Sequence, residues 1–377
     1  MEKKRHSDER PLIGISHGDI NGINYEIIIK ALNDKRMSEM FNCILYGSSK
    51  LISYYQNSLD LPKLNFNTIK RTDKAGLKQL NVINITDQEI KIETGKSTKE
   101  AGQLSYNALS KSVNDLSKRY IQALVTAPID KHNIQSDNFK YAGHTDYLAD
   151  FFKTKDYLML LVAGNLRIGV VTGHIPIQEV ASAVHKEIIL SKLKVMHHSL
   201  VYDFGIRNPK IAVLGLNPHA SDEGLIGNEE QKEIIPAIET AKKNKMLVYG
   251  PFAADGFFAS ANYQKFDAIL AMYHDQGLIP FKTLAFEDGV NFTAGLPVVR
   301  TSPAHGTAFD IAGKNIASES SLRQAIYLAA DIIENRKIHS EYARNPLRTK
   351  HQIDQSKDED ISSLKTPDNE NSEGLSI

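Results

Sequence analysis

Three histidines, His174, His219 and His274, each follow a short apolar run by one to three residues. Neutral imidazoles meeting at strand ends would hold a divalent ion while leaving positions open for substrate oxygens. They lie too far apart in the chain for a local metal motif, so only a fold that gathers strand ends brings them together. Taken singly, each such histidine is more often a hydrogen-bonded structural or surface residue. Asp275 beside His274, and Asp255 in Ala253-Ala254-Asp255-Gly256, are placed to complete or orient such a site, because a metal-bound imidazole commonly donates its second nitrogen to a carboxylate. For Asp255, turn chemistry with Gly256 is the plain alternative. The remaining histidines, with His197-His198 inside a helical pattern among them, lack this placement and are expected to face solvent.

A second set comprises Gly143-His144-Thr145 with Lys282, Asn291 and Arg300. Arg300 follows the apolar stretch Gly295-Leu296-Pro297-Val298-Val299, so its guanidinium emerges from a packed segment. A buried arginine needs an anion, and a phosphate or carboxylate suits its fork geometry; an internal salt bridge is the alternative. A third set is the loop His305-Gly306-Thr307-Ala308-Phe309-Asp310-Ile311-Ala312-Gly313, in which Asp310 is placed to bind ribose hydroxyls. The chain has neither a Gly-x-Gly-x-x-Gly fingerprint nor a Walker loop, so a nucleotide would be held outside the Rossmann scheme.

The elements that must position these groups are legible as short apolar runs: Leu12 to Ile15, Ile44 to Tyr46, Ala123 to Thr126, Leu158 to Ala163, Ile168 to Thr172, Ile211 to Leu216 and Ala268 to Met272. They are continuous rather than alternating, as strands buried on both faces are. Helical patterns lie between them, at Ser105 to Arg119, Lys186 to Phe204, Glu229 to Asn244 and Ser320 to Arg336. The alternation predicts an α/β fold with a largely parallel sheet. Nearly every strand runs into a polar cluster, including Ser16-His17-Gly18-Asp19 and Ala127-Pro128-Ile129-Asp130-Lys131. Ligand crevices of open α/β sheets lie beyond the carboxyl ends of the strands, so these clusters converge.

Composition narrows the partners. With 45 basic against 45 acidic residues, no net field draws the chain to a nucleic acid or an anionic membrane. Cys43 sits alone in an apolar run, so no intrachain disulfide forms. The first ten residues carry charge without an apolar segment after them, and no apolar stretch is long enough to span a bilayer, which predicts a cytoplasmic protein. After about residue 350 large apolar residues nearly vanish, which predicts a disordered polar tail over 351–377.

Taken together, Gly143-His144-Thr145, Thr172-Gly173-His174, Gly215-Leu216-Asn217-Pro218-His219-Ala220, Ala271-Met272-Tyr273-His274-Asp275-Gln276-Gly277, and Gly289-Val290-Asn291 through Arg300-Thr301-Ser302 resemble the 4-hydroxythreonine-4-phosphate dehydrogenase family of pyridoxal phosphate (pyridoxine) biosynthesis. The His305 to Gly313 loop is similar to the adenosine-binding loop of isopropylmalate and isocitrate dehydrogenases, whose fold that family shares. The resemblance implies a two-lobed fold of that type, with residues 1–140 and 300–350 as the cofactor-side lobe and 141–299 as the substrate, metal and dimerisation lobe. It implies that His174, His219 and His274 bind a divalent metal (zinc, magnesium or cobalt) at a site shared across a homodimer. His144, Thr145, Lys282, Asn291 and Arg300 would contact a phosphorylated substrate, and His305, Gly306 and Asp310 the NAD or NADP. The implied reaction is oxidation of 4-phosphooxy-L-threonine at C3, then decarboxylation to 3-amino-2-oxopropyl phosphate. A metal that chelates the hydroxyl lowers its pKa and serves as electron sink for the carbon–carbon cleavage.

The general base stays open between Lys131, Asp275 and a metal-bound water. The chain departs from the family pattern at His17-Gly18-Asp19-Ile20-Asn21-Gly22-Ile23-Asn24-Tyr25, which lacks the two prolines and a glycine usual there. It departs again at Ser221-Asp222 after His219, where Gly-Glu is usual, and at Gly256, where threonine is common. Two alternatives stand beside the main assignment: a sister enzyme of 4-phospho-D-threonate or 4-phospho-D-erythronate, and a non-catalytic homologue that binds the metabolite.

Overall fold

The computed structural model of the chain describes residues 10–76 and 79–344. The segment expected to form a polar tail, 351–377, lies outside the described residues. Twelve strands form one sheet: β1 (Leu12–Ser16), β2 (Asn42–Gly47), β3 (Phe66–Ile69), β4 (Leu80–Asn84), β5 (Ala123–Thr126), β6 (Leu158–Ala163), β7 (Leu166–Val170), β8 (Lys210–Leu214), β9 (Leu247–Phe252), β10 (Ala268–Ala271), β11 (Val290–Ala294) and β12 (Val299–Pro303). Their order across the sheet is β3-β4-β2-β1-β5-β12-β11-β6-β7-β10-β8-β9. Six strands from residues 12–126 and 299–303 thus lie on one side and six from 158–294 on the other.

Every strand read from the sequence is present within about two residues, which is the usual uncertainty of element ends. The sheet is parallel except at three adjacent pairings, β12 with β11, β11 with β6, and β6 with β7. Ala-Leu-Val-Thr of β5 and Ala-Ile-Leu-Ala of β10 are buried throughout, because helices cover both faces of a parallel sheet.

The crossover helix Lys99–Ser117 shows why these segments are helical. Ala101, Leu104, Ala108, Leu109, Val113 and Leu116 recur at three- and four-residue spacing and are all buried. Thr98 caps it by accepting from Ala101 N at 3.3 Å. The helix Lys186–Tyr202 buries Ile189, Leu193, Met196 and Leu200 in the same way. Each such aliphatic side chain contributes roughly 1.5–3 kcal/mol of burial, so Leu193→Ala, at a fully buried position, costs about 2–5 kcal/mol.

The described residues up to Arg336 form one compact unit; of the unit that begins at Lys337, the described part is the end of the helix Ser320–Arg344. No helix among the described residues is long and apolar enough to cross a membrane. Cys43 is buried in β2, and burial pushes its thiol pKa up to about 12. One expectation is overturned. His17, counted among solvent-facing histidines, is fully buried, because the chain after β1 turns inward beneath Tyr25 and the helix Lys99–Ser117.

Candidate active site

Arg300 is the second residue of β12 and is only 2% exposed. Its strand lies between β5 and β11, and those neighbours supply its partners. Nε and Nη2 donate to the Thr126 hydroxyl at 3.1 and 2.7 Å, and Nη1 donates to the Thr293 hydroxyl at 3.2 Å. Among the described residues no carboxylate pairs with it, so the internal salt bridge is not formed. Burial alone pulls its pKa down to about 9. A guanidinium held this way lacks its counter-anion.

That side chain faces a cavity of about 640 Å³, within the size range of small-molecule sites. Thr145, Lys282 and Asn291 line it with Arg300, and so do Lys131, His144, His174, His274, His305 and Gly306. Three buried polar atoms there have no partner: His144 Nε2, Asn291 Oδ1 and His305 Nε2. Unpaired buried polar atoms cost free energy unless a ligand meets them. His144 opens the helix His144–Phe151. Burial, and then the charges of Arg300 and Lys131, hold its pKa well below the usual imidazole value. His305 is lowered by burial, with a smaller contribution from Lys282 that acts against the Gly306 carbonyl. Neutral imidazoles beside a bare guanidinium fit an anionic ligand, whose charge the arginine balances and whose oxygens the rings contact.

His174 and His274 come together at one side of the cavity, with ring centroids 5.5 Å apart. Burial lowers the His174 pKa first, and the charges of Lys131 and His274 add to it. Asp275 Oδ1 lies 2.7 Å from His274 Nδ1, which leaves Nε2 as the free ring nitrogen, the arrangement of a carboxylate-oriented metal ligand. Lys131 Nζ is 3.4 Å from His174 Nε2. Asp275 itself is exposed and does not line the cavity.

His219 is elsewhere. It is exposed, absent from the cavity wall, and starts a left-handed turn in which His219, Ala220, Ser221, Asp222 and Glu223 all have positive φ. Asp255 is exposed on the helix Ala254–Ala259, next to that turn. Among the described residues of one chain, no three His, Cys, Asp or Glu side chains come together in a way that could hold an ion. The cavity therefore presents two imidazoles that fit a metal, and among the described residues of one chain no third His, Cys, Asp or Glu completes a set with them.

His305 and Gly306 reach the cavity, while Asp310 is exposed further along the same loop. The loop docks on the segment after β1: Ile23 N donates to Thr307 O at 3.1 Å, and a Cβ on Gly22 would lie 2.6 Å from that carbonyl. Asn21 joins a third segment, accepting from Glu93 N at 2.9 Å and donating to Thr98 Oγ1 at 3.1 Å. The divergent loop is thus packed against the expected nucleotide loop.

Sequence reasoning missed Thr126 and Thr293, the hydroxyls that hold Arg300. Their only signal was position at strand ends beside it. Glu230, a family position that the sequence keeps after His219, had no role assigned from sequence; it is fully buried, and its carboxylate accepts from Leu216 N and Asn217 N at 2.7 and 2.8 Å and so braces the turn that carries His219.

The model of the family described as "Pyridoxal phosphate biosynthetic protein PdxA" matches residues 39–329. The chain belongs to this family. A relative from Bacteroides thetaiotaomicron, named 4-hydroxythreonine-4-phosphate dehydrogenase, is 50% identical over 340 residues, covering 90% of this chain and 93% of its own length. The PdxA fold is confirmed by a crystal structure of 4-hydroxythreonine-4-phosphate dehydrogenase from Klebsiella pneumoniae. It is 33% identical, with a TM-score of 0.77 over 87% of this chain and 99% of that one. A protein from Oceanobacillus iheyensis, provisionally named D-threonate 4-phosphate dehydrogenase, is 37% identical over 328 residues, 86% of this chain and 98% of that one.

Proposed function

We propose that the chain oxidises 4-phosphooxy-L-threonine at its C3 hydroxyl with NAD and a divalent metal ion, and that loss of the carboxyl carbon as carbon dioxide leaves 3-amino-2-oxopropyl phosphate. The observation that carries this is Arg300, buried at the cavity wall with only neutral hydroxyl partners, in a chain half identical to a protein named for that activity.

Arg300, with Lys282 at the rim, holds the anionic ends of the substrate. His144 and Thr145 meet its oxygens, and Asn291 Oδ1 accepts from its hydroxyl or ammonium group. His174 and His274 would hold the ion together with His219 of the partner subunit. When bound, the metal would supply acidification of the substrate hydroxyl and stabilisation of charge on its oxygen, and NAD or NADP would supply the hydride acceptor. Lys131 lines the cavity and is placed to take the hydroxyl proton; Asp275, outside it, orients His274. His305, Gly306 and Asp310 form the nucleotide side.

A homodimer is supported by exposed apolar side chains next to the histidines: Ile175 and Ile177 beyond His174, Ile279 beyond His274, and Leu225 beyond the His219 turn. Sheet order supports a cofactor-side lobe of residues 1–140 and 300–350 against a substrate lobe of 141–299. The single buried cysteine suits the cytoplasm.

Turnover is the test. Purified protein with NAD and zinc, magnesium or cobalt is expected to form NADH faster with 4-phosphooxy-L-threonine than with 4-phospho-D-threonate or 4-phospho-D-erythronate. A strong preference for a sugar acid would move the assignment to the activity for which the Oceanobacillus relative is named. His219→Ala is expected to abolish turnover while phosphate binding persists, and an unchanged rate would remove the metal from the mechanism.

A further inference from the structure

The three histidines are carried beyond the ends of β7, β8 and β10, where the strand ladders have stopped. The last paired residues are Ala271 with Val170 and Leu270 with Val213. Side chains continue the connection past that point. Thr172 donates to Met272 O from both its backbone N, at 3.1 Å, and its hydroxyl, at 2.9 Å, which ties the His174 loop to the His274 loop. Gln276 does the rest. Its Oε1 accepts from Met272 N at 2.7 Å, and its Nε2 donates to Gly215 O at 2.7 Å, four residues before His219.

The two halves of this amide differ in purpose. Gln276 stands at the third position of the helix His274–Leu284, and its reach back to the N–H of Met272, one residue before the N-cap Tyr273, is close to the bond of a helix cap. Capping needs only the acceptor. The donor reaches a different strand, 61 residues away in sequence, and bonds the peptide from which the His219 turn departs. That turn has five consecutive residues at positive φ, a conformation costing about 1–2 kcal/mol per residue, so its place depends on anchors at its base.

We propose that Gln276 is a positioning residue that sets the spacing between the His219 turn and the His174–His274 pair, so that the metal donors are preorganised before an ion arrives. The proposal rests on the metal-dependent reading above. On that reading His219, which does not line its own chain's cavity, would serve a second copy, and in a symmetric pair one intrachain spacing would set both metal sites at once.

Two substitutions separate positioning from capping. Gln276→Glu is isosteric, keeps the acceptor for Met272 N, and sets a carboxylate oxygen against the Gly215 carbonyl. Gln276→Met loses both bonds. Full-length protein stripped with EDTA is titrated with Zn²⁺ against a chromophoric chelator, and the rise in melting temperature with inorganic phosphate reports the Arg300 pocket separately. Both variants are expected to bind Zn²⁺ about 10–100-fold more weakly than the parent, with the phosphate response intact. Parent affinity for zinc in Gln276→Glu would reduce Gln276 to a cap and overturn the proposal. Parallel loss of zinc binding and phosphate response would overturn it too, as damage to the whole site. A parent that binds no zinc would instead remove the metal-dependent reading, and the proposal with it.

Discussion

Arg300 donates twice to one acceptor, the Thr126 hydroxyl, through Nε at 3.1 Å and Nη2 at 2.7 Å, and Thr293 takes one further N–H at 3.2 Å. A guanidinium has five N–H donors, so these neutral partners leave donors for the cavity. An unpaired buried charge is unfavourable in the empty protein and favourable once an anion arrives. Arg300→Met is therefore expected to leave the ligand-free protein at least as stable as the parent. Substrate binding should weaken by about 2–5 kcal/mol, roughly 30-fold to 4,000-fold in KM. Thermal melting with and without inorganic phosphate checks both halves, and retention of the phosphate-dependent rise in the variant would sink the assignment.

The same geometry makes Thr126 more than a strand residue. Thr126→Val keeps the shape of the side chain and removes the acceptor for two of the guanidinium's bonds, which should cost about 1–3 kcal/mol of stability and misdirect Arg300. Thr126→Ser, which restores the hydroxyl, should recover most of the loss in both denaturation and KM. Equal behaviour of the valine and serine variants would show that the hydroxyl is not what holds Arg300.

The contrast between Arg300 and His219 shows what the sequence conveys about the site. Strands buried on both faces are written as continuous apolar runs, and residues just past them gather at one end of a parallel sheet, so the shared placement of His174 and His274 was legible, while Arg300, inside β12, was marked by the apolar stretch before it. The turn at His219 was not, because five residues with side chains adopt left-handed geometry that glycine ordinarily marks. Glu230 and Gln276 were equally hidden. The backbone groups that tie them across the fold, Asn217 N and Gly215 O, are 13 and 61 residues away, and no local pattern encodes such a bond. His17 was misread because a histidine among Ser16, Gly18 and Asp19 looks solvent-facing until Tyr25 and the Leu104 carbonyl close over it.

Buried His17 gives stability a pH dependence whose sign follows from its environment. Burial lowers its pKa to about 4, outweighing the Leu104 carbonyl, which acts in the other direction. The unfolded chain takes up this proton near pH 6.5 and the native chain only near pH 4. Stability is therefore undiminished above about 6.5 and falls as pH drops through that window, by about 1.4 kcal/mol per pH unit for one group. His17→Gln, which retains a donor for the Leu104 carbonyl, should flatten the slope of unfolding free energy against pH between 4 and 6.5 by about one proton. Urea denaturation at a series of pH values reads this difference directly. His144 and His305 contribute to the slope in both proteins, so parallel slopes would show that His17 does not carry the effect.

Gly22 joins the divergent loop after β1 to the loop expected to hold the nucleotide. The Ile23 N–H bonds Thr307 O at 3.1 Å, and a Cβ on Gly22 would meet that same carbonyl at 2.6 Å, closer than atoms tolerate. Gly22→Ala must therefore push the two loops apart, and backbone on both sides leaves no flexible side chain to yield. The displacement acts at Thr307, one residue after Gly306, which lines the cavity, while the Arg300 side of the cavity rests on β5, β11 and β12 and stays in place. The expected outcome is a KM for NAD raised by about tenfold or more, a phosphate-dependent rise in melting temperature equal to the parent's, and a modest loss of stability of about 1–3 kcal/mol. An unchanged KM for NAD in a folded Gly22→Ala protein would place the nucleotide away from the 305–313 loop. A lost phosphate response would mean instead that the two sides of the cavity are mechanically coupled through Thr307.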